Sequence, residues 1–411
     1  MERLVFHVDV NSAFLSWEAA RRVLNGQADL RLIPSAIGGD REKRTGIILA
    51  KSIPAKKFGI TTGEPVSMAL RKCPGLEIAA PDFELYIRNS HAFMDICRQY
   101  APAVEQYSID ECFLDFSGTG YTYPDPLSTA HEIKDKIRDT LGFTVNIGIG
   151  SNKLLAKMAS DFEKPDRVHT LFKDEIEEKM WPLPVGELFL VGRSSAQRLT
   201  GAGISTIGDL ACAELEFVQS IVGEKFGYQV WNYANGIDSA PVVTEREDPK
   251  GYSISTTLED NVETRESALQ IIRMLSDSVS RRMRRDGVRA YCISVTIRDT
   301  DFKNRSHQRA LKISTDISTQ IFELCAELFD ELWDGKTPLR LLGVALTDID
   351  REGNEQTSLF DDGSREKARN LDKAVDLIKN KYGRSTIQRA SAMKSEIEVG
   401  KNYKAQENID R

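Results

Sequence analysis

The sequence predicts an α+β chain made of more than one compact unit. Its 411 residues exceed what a single hydrophobic core normally supports. Up to about residue 172 the apolar pattern runs strand, helix, hairpin, helix, strand around an inserted segment of different composition. A second mixture of strands and helices occupies residues 252–350, after a stretch that is helical throughout.

LVFHVDV, residues 4–10, has the continuous apolar character of a buried strand and ends on Asp9 and Val10. Phe14, Leu15 and Ala19 then recur at helical spacing, which predicts a helix over 12–23. From 29 to 76 the chain is basic and Gly-rich, with GGDREKRTG and AKSIPAKKFGITTGEP, and predicts a small loop-rich subdomain. A helix is expected over 83–100, then VEQYSIDECFLDF as a hairpin, a helix over 127–141 and the strand FTVNIGIG. Residues 173–235 read as short helices, among which GISTIGDL resembles the second half of a helix-hairpin-helix unit. PVVTEREDPKG, charged and with two prolines, predicts an exposed linker. Beyond it come a strand, an arginine-rich helix, two strands, a helix and a final strand, RLLGVALTDI. The last sixty residues hold QTSLFDD and a charged helix with LDKAVDLIKNKYG at its core, before a terminus expected to be disordered.

Composition narrows the function. No run of eighteen uncharged apolar residues occurs, and MERLVFHVDV lacks the pattern of a signal peptide, so a cytosolic protein without a membrane partner is expected. The six cysteines contain no C-x-x-C pair, which argues against a zinc cage or a disulfide framework. The net charge is −7, yet residues 281–312 carry ten Lys or Arg against three Asp. A basic patch on an acidic chain marks a place where a polyanion can bind.

Asp9 ends one apolar strand, and Asp110 and Glu111 interrupt another. Burying ionised carboxylates without partners is costly, and a cation or protonation is the usual remedy. Hard oxygen ligands suit Mg²⁺, and two such ions can serve an in-line displacement at phosphorus. Neighbouring strand residues face opposite ways, so Asp110 and Glu111 converge only if the strand bends or begins there, at Ser108 and Ile109.

HVDVNSAF, GGDREKRTG, AKKFGI, YSIDECFLDF and NKLLAKMASDFEKP, in this order and spacing, resemble the Y-family translesion DNA polymerases, the DinB-like and UmuC-like enzymes. The likeness spans roughly residues 4–350. It implies a right-hand architecture: palm at 1–18 and 79–172, fingers at 19–78, thumb at 173–240, a linker at 241–250 and an additional α+β little finger at 251–350. It also implies DNA-directed, error-prone DNA synthesis on primer-template DNA from deoxynucleoside triphosphates, with two Mg²⁺ and no proofreading domain.

Carried over residue by residue, the resemblance makes Asp9, Asp110 and Glu111 the catalytic, metal-binding carboxylates, with the Val10 carbonyl as a further ligand. Phe14 falls at the steric gate that excludes a 2′-hydroxyl, although its spacing alone also fits a core aromatic on the first helix. Lys56 and Lys164 occupy the triphosphate-binding positions. Ala50, Ile53 and Lys56 stand where DinB-like enzymes have Thr, Tyr and Arg, which leaves the phosphate grip without two hydroxyls and a guanidinium. In FLVGRSSAQRLTGAGISTIGDL, Leu190 replaces the first glycine of a phosphate-binding turn and leaves Gly192 and Arg193 as the DNA contacts. Tyr291, Ile293, Val295 and Ile297 alternate with small or polar residues ending at Arg298. The polar face, with Arg305, Arg309 and Lys312, is expected to lie along DNA.

QTSLF resembles the peptide by which bacterial polymerases bind the sliding clamp, with Gln356, Leu359 and Phe360 as anchors in the tail, residues 351–411. A monomer recruited by the clamp follows. Two other readings stay open at this level: a feebly active DNA- and clamp-binding adaptor, motivated by Ala50, Ile53, Lys56 and Leu190, and a palm-type nucleotidyl cyclase.

Overall fold

The computed structural model describes residues 3–39, 46–245, 248–352, 363–383 and 386–387, which fall into two compact units, residues 3–39 with 47–245 and residues from 248 on. In chain order the first unit opens with β1 (Val5–Val10), α1 (Ala13–Leu24), β2 (Ser35–Gly38), β3 (Ile48–Lys51), α2 (Ile53–Lys56), α3 (Val66–Lys72) and β4 (Glu77–Ala79). There follow α4 (Phe83–Arg98), β5 (Ala103–Gln106), β6 (Glu111–Asp115), α5 (Pro126–Leu141), β7 (Val145–Gly150), α6 (Lys153–Asp161) and β8 (Val168–Leu171). Four helices close it: α7 (Arg193–Gly201), α8 (Ile207–Cys212), α9 (Leu215–Val222) and α10 (Glu224–Ala234).

β1 is the central strand of a five-stranded sheet, β5-β6-β1-β7-β8. It is buried along its length because both faces are covered. Phe6, Val8 and Val10 join the core of Trp17, Tyr86, Phe93 and Ile133, under α1, α4 and α5. Val5 meets Phe113 and Ala156 on the other side, where α6 lies. That helix settles onto β7 over two glycines: a Cβ on Gly148 would stand 2.0 Å from the Ala156 carbonyl oxygen, and one on Gly150 2.7 Å from the Ala156 nitrogen. NIGIG is thus the reason that α6 and its charged side chains reach the sheet.

The inserted segment is more ordered than loop-rich. It carries the sheet β3-β2-β4 with its own core of Ala36, Ile48, Ala55, Ile60 and Val66. Strands of three or four residues are too short for alternation to stand out in sequence. Helices α7 to α10 surround Leu199, Ile207, Leu210, Val218 and Val230. Leu190, just before α7, has φ 71, a left-handed conformation that costs an L-residue about 1–2 kcal/mol.

The second unit holds β9 (Gly251–Val262), α11 (Arg265–Arg285), β10 (Arg289–Asp299), β11 (Asn304–Thr315), α12 (Ser318–Leu332), β12 (Leu339–Asp350) and α13 (Ser364–Tyr382). Its antiparallel sheet has the order β11-β10-β12-β9. Ile293, Val295 and Ile297 pack with Ile271, Leu275, Ile321 and Leu328 of α11 and α12. The opposite face presents Ser294 and Thr296 beside Ala345 and Gly343, then Ser253 and Ser255, all small.

The C-terminal helix begins about two turns before the expected core and docks through polar groups. Asp372 accepts the Ser318 backbone N–H at 2.7 Å and Arg284 Nη1 at 3.3 Å, while Arg284 Nε donates to Asp376 at 2.7 Å. Arg369 pairs with Asp316 at 2.9 Å. The N-cap position of α12 is Ile317, which offers no side-chain acceptor, so Asp372 satisfies a first-turn donor in its place.

Candidate active site

Antiparallel register places Asp9 directly opposite Glu111, with β1 running beside β6. Cross-strand partners point the same way with Cβ atoms roughly 5 Å apart, so both carboxylates share the α6 face of the sheet. Residues 108–110 form a bend and β6 starts at Glu111, which frees Asp110 from strand alternation. The Val10 N–H donates to the Asp110 carbonyl at 3.0 Å and holds that bend against β1. Asp9, Val10, Phe14, Lys56, Asp110, Glu111 and Lys164 all line one cavity of about 580 Å³. Lys51, Thr62, Lys157 and Asp161 also line it, and sequence reading had not singled them out.

Each carboxylate is turned to a partner within the protein. Lys164 bonds Asp9 and also reaches Asp161 at 2.7 Å. Lys157 reaches Glu111 at 2.6 Å, and the Ser108 hydroxyl donates to Asp110 at 2.7 Å. Among the described residues no three His, Cys, Asp or Glu side chains close around a common point. Burial pushes Asp9 up to about 6, over the opposing attraction of Lys164. Burial would lower the Lys164 ammonium, but its two acids raise it overall, so the unmet electrostatic demand of this pair falls on Asp9. Asp110 is also raised, by burial first and then by the Glu111 charge, with the Ser108 bond opposing. Burial works the same way on Glu111, yet hydrogen bonds from His7 and Lys157 bring it down to about 2. Two of three adjacent carboxylates therefore lack full compensation from the protein's own cations. A hard divalent ion fits that donor set.

His7 is the residue that sequence reading missed most plainly. It is fully buried, and burial lowers its pKa to about 4, so it is neutral at physiological pH. Its Nε2 lies 3.2 Å from Glu111 Oε2, and its Nδ1 lies 2.8 Å from Ser160 Oγ. An ionised carboxylate only accepts, so Nε2 carries the proton of the neutral ring and Nδ1 is an acceptor, facing a Ser160 hydroxyl that also has the Lys157 carbonyl as an acceptor at 2.7 Å. The available signal was position: His7 is two residues before Asp9 on a strand and must share its face. Lys157 had a similar signal, four residues before Asp161 on a helix.

Asn11 and Asn146 fix the segment that carries Lys164. Asn11 Nδ2 donates to Asn146 Oδ1 at 3.0 Å, Asn11 Oδ1 accepts from the Asp166 backbone at 3.0 Å, and Asn146 Nδ2 donates to the carbonyls of Ser160 and Glu163. Phe14 belongs both to the aromatic packing around α1 and to the cavity wall. It is half-buried, stacked on Tyr86 with centroids 4.5 Å apart and planes at 9°, and it lines the cavity. Ser12 before it has φ 49, which turns the chain sharply from β1 into α1.

The expected DNA contacts divide. Gly192 is the N-cap of α7 and Arg193 its first residue, both exposed and neither lining the cavity. Arg298 and Lys312 lie on the open face of the second sheet, where Arg298 Nε bonds Asn304 at 2.7 Å. Arg305 and Arg309 do not. Their register partners are Ile297 and Ile293, whose side chains face the helices. Arg309 accordingly pairs with Glu327 at 2.6 Å and Glu331 at 2.5 Å on α12. Gln356, Leu359 and Phe360 lie outside the described residues.

Known proteins resemble this chain along most of its length. A family model described as the impB/mucB/samB family matches residues 8–161, and the model of that family's C-terminal domain matches 249–359. A thumb-domain model, described for DNA polymerase-iota, matches residues 187–238. The chain is 42% identical over 399 residues to the DNA polymerase IV of Clostridium acetobutylicum, covering 96% of this chain and 100% of that protein. It is 36% identical over 397 residues to DNA polymerase IV 1 of Bacillus subtilis, covering 96% and 94%. A solved Y-family DNA polymerase chimera shares the fold with a TM-score of 0.73 at 22% identity, covering 84% of this chain and 99% of that one. With the family model and the model of its C-terminal domain both matched and a relative aligned along nearly its whole length, the chain belongs to the impB/mucB/samB family of Y-family DNA polymerases and is a DNA-directed DNA polymerase.

Proposed function

We propose that this polymerase performs error-prone translesion synthesis in the cytoplasm as a monomer, by two-metal nucleotidyl transfer in the cavity between β1, β6 and β3. The observation that carries this reading is the convergence of Asp9, Asp110, Glu111 and Phe14 on one cavity with two of the carboxylates undercompensated. Asp9, Asp110, Glu111 and the Val10 carbonyl would hold two Mg²⁺. When bound, the ions supply Lewis acidity at the attacking and leaving oxygens. The protein's own residues do the rest: His7 keeps Glu111 ionised and oriented, Asn11 and Asn146 hold the Lys164 segment, Lys56 and Lys164 meet the triphosphate, and Phe14 sets the floor beneath the sugar. The β1 sheet is read as palm, the β3-β2-β4 segment as fingers, α7 to α10 as thumb and the second sheet as little finger. Among the described residues no helix is long and apolar enough to cross a membrane.

Ion binding should depend on pH through Asp9. Its carboxyl, raised to about 6, holds a proton below that pH, and an ion must displace it. Titration of the DNA-free protein with Mn²⁺ is expected to give an affinity that is flat above pH 6.5 and weakens about tenfold per pH unit below 6, for one displaced proton. Unchanged affinity down to pH 5 would remove Asp9 from the ligand set.

The small open face of the second sheet, with Arg298 and Lys312, suits a DNA backbone, and QTSLF suits the sliding clamp. The two should separate by mutation. Leu359→Ala with Phe360→Ala is expected to abolish clamp binding and leave duplex affinity intact. Arg298→Ala with Lys312→Ala should reduce the salt dependence of duplex binding by about two counterions and spare the clamp. Clamp affinity that survives the first pair, or a salt slope unaltered by the second, refutes the corresponding assignment.

A further inference from the structure

The β3 side of the cavity carries a cation and a hydroxyl outside the set assigned above. Lys51 ends β3, is half-buried, and its Nζ donates to Thr62 Oγ1 at 3.2 Å. Thr62 stands on the turn Thr61–Glu64, whose third residue, Gly63, has φ 86. A Cβ there would meet no atom within 4 Å, so the backbone conformation and not space calls for glycine. The turn is fastened to β3 by two backbone bonds, Gly63 N–H to the Ile48 carbonyl at 2.8 Å and Ile48 N–H to the Glu64 carbonyl at 2.9 Å. Thr62 is thereby held beside Lys51 by the backbone.

Lys157 and Lys164 each have a carboxylate partner, Glu111 and Asp9. Lys51 and Lys56 line the same cavity, and neither makes an ion pair among the described residues. Burial, and then repulsion from Lys56, lowers the pKa of the Lys51 ammonium, with Glu64 opposing. Two ammonium groups on one wall that repel each other and have no ion-pair partner among the described residues favour a polyanionic ligand. The chemistry of the wall also matters. Ala50 and Ile53 offer a phosphate nothing, whereas Thr62 Oγ1 already accepts from Lys51 and so has its own proton to donate elsewhere.

We infer that Lys51 and Thr62 bind the terminal phosphates of the incoming nucleotide, as an ammonium and hydroxyl pair that supplies what Ala50, Ile53 and Lys56 cannot. The inference rests on the nucleotide reading of the cavity and names which part of the nucleotide this wall recognises. It makes the pair a selector for triphosphates over monophosphates, since a monophosphate lacks the terminal phosphates that the pair would hold.

The test uses the full chain on a primer-template whose primer is dideoxy-terminated, with deoxynucleoside triphosphate and monophosphate as probes. Lys51→Met, which keeps the length of the side chain without its charge, is expected to weaken triphosphate binding about tenfold, the worth of one charge-assisted hydrogen bond, and to leave monophosphate binding unchanged. In turnover the same loss appears in KM with little change in kcat. Lys51→Arg should restore most of it, and Thr62→Val should cost about threefold, the worth of a neutral hydrogen bond. Triphosphate affinity equal in Lys51→Met and wild type overturns the inference. So does a loss shared equally by triphosphate and monophosphate, because that is the mark of a damaged turn. A wild-type protein that itself does not prefer triphosphate fails at the earlier step, the nucleotide reading of the cavity, and takes the inference with it.

Discussion

Asp110→Ala is expected to extend a primer at least about 10³-fold more slowly than wild type while folding, and binding primer-template DNA, as well as wild type does. The rate follows from the charge that the transition state must shed. Each loss of 1.36 kcal/mol of transition-state stabilisation is tenfold in rate, and a bound metal acting at the reacting oxygens contributes several kcal/mol. The spared stability follows from the site itself. Asp110 is raised by burial and by the Glu111 charge, with the Ser108 hydroxyl as its one side-chain donor among the described residues, so its ionised form is a burden on the folded state. Removing it should leave the thermal midpoint unchanged or slightly higher. A destabilised Asp110→Ala would point to a structural role, and equal synthesis by variant and wild type would sink the metal assignment. Asp9→Ala should behave differently, because it strips Lys164 of one of its two acids.

The carboxylates were legible because strand physics constrains them. An apolar run that ends on Asp9, and a second interrupted by two adjacent acids, permit convergence only at a strand start, and a bend occupies 108–110. What was not legible depends on partners far along the chain. His7 shares a face with Asp9 by alternation alone, but its hydrogen bond to Glu111 requires the β1 and β6 register, which no local pattern encodes. The same ignorance of register misplaced Arg305 and Arg309. A one-residue slip across the β10 to β11 hairpin moves every side chain to the other face, and the loop from Asp299 to Asn304 sets that slip. The C-terminal helix resisted for an opposite reason: hydropathy assigns its buried face to the wrong side. Leu371 and Leu377 are 62% and 70% exposed while Asp372 is buried at 7%, because the helix is held by ion pairs and an exchanged cap. Polar docking buries the face that hydropathy would leave in water.

Phe14→Ala is expected to raise ribonucleotide incorporation relative to deoxynucleotide by at least about 10²-fold, with deoxynucleotide insertion largely kept. An apolar pocket that merely tolerates an added hydroxyl discriminates by about 10² at most, so steric exclusion by a ring must exceed that to be worth a dedicated residue. The geometry gives the ring little freedom to yield. Phe14 is stacked on Tyr86 and edged by Phe83 at 6.1 Å and Trp17 at 5.9 Å, and these neighbours are themselves packed in the core. A rigid backing is what a gate requires, since a ring that could swing away would admit the hydroxyl at small cost. The same packing implies a stability loss of about 1–3 kcal/mol for the half-buried ring, so Phe14→Tyr serves as the companion. Tyrosine keeps the ring and its stack, and should keep the selection. A folded Phe14→Ala whose ribonucleotide ratio equals that of Phe14→Tyr would return Phe14 to the role of a core aromatic. Sugar selection would then have to come from the Ser12 turn that presents it.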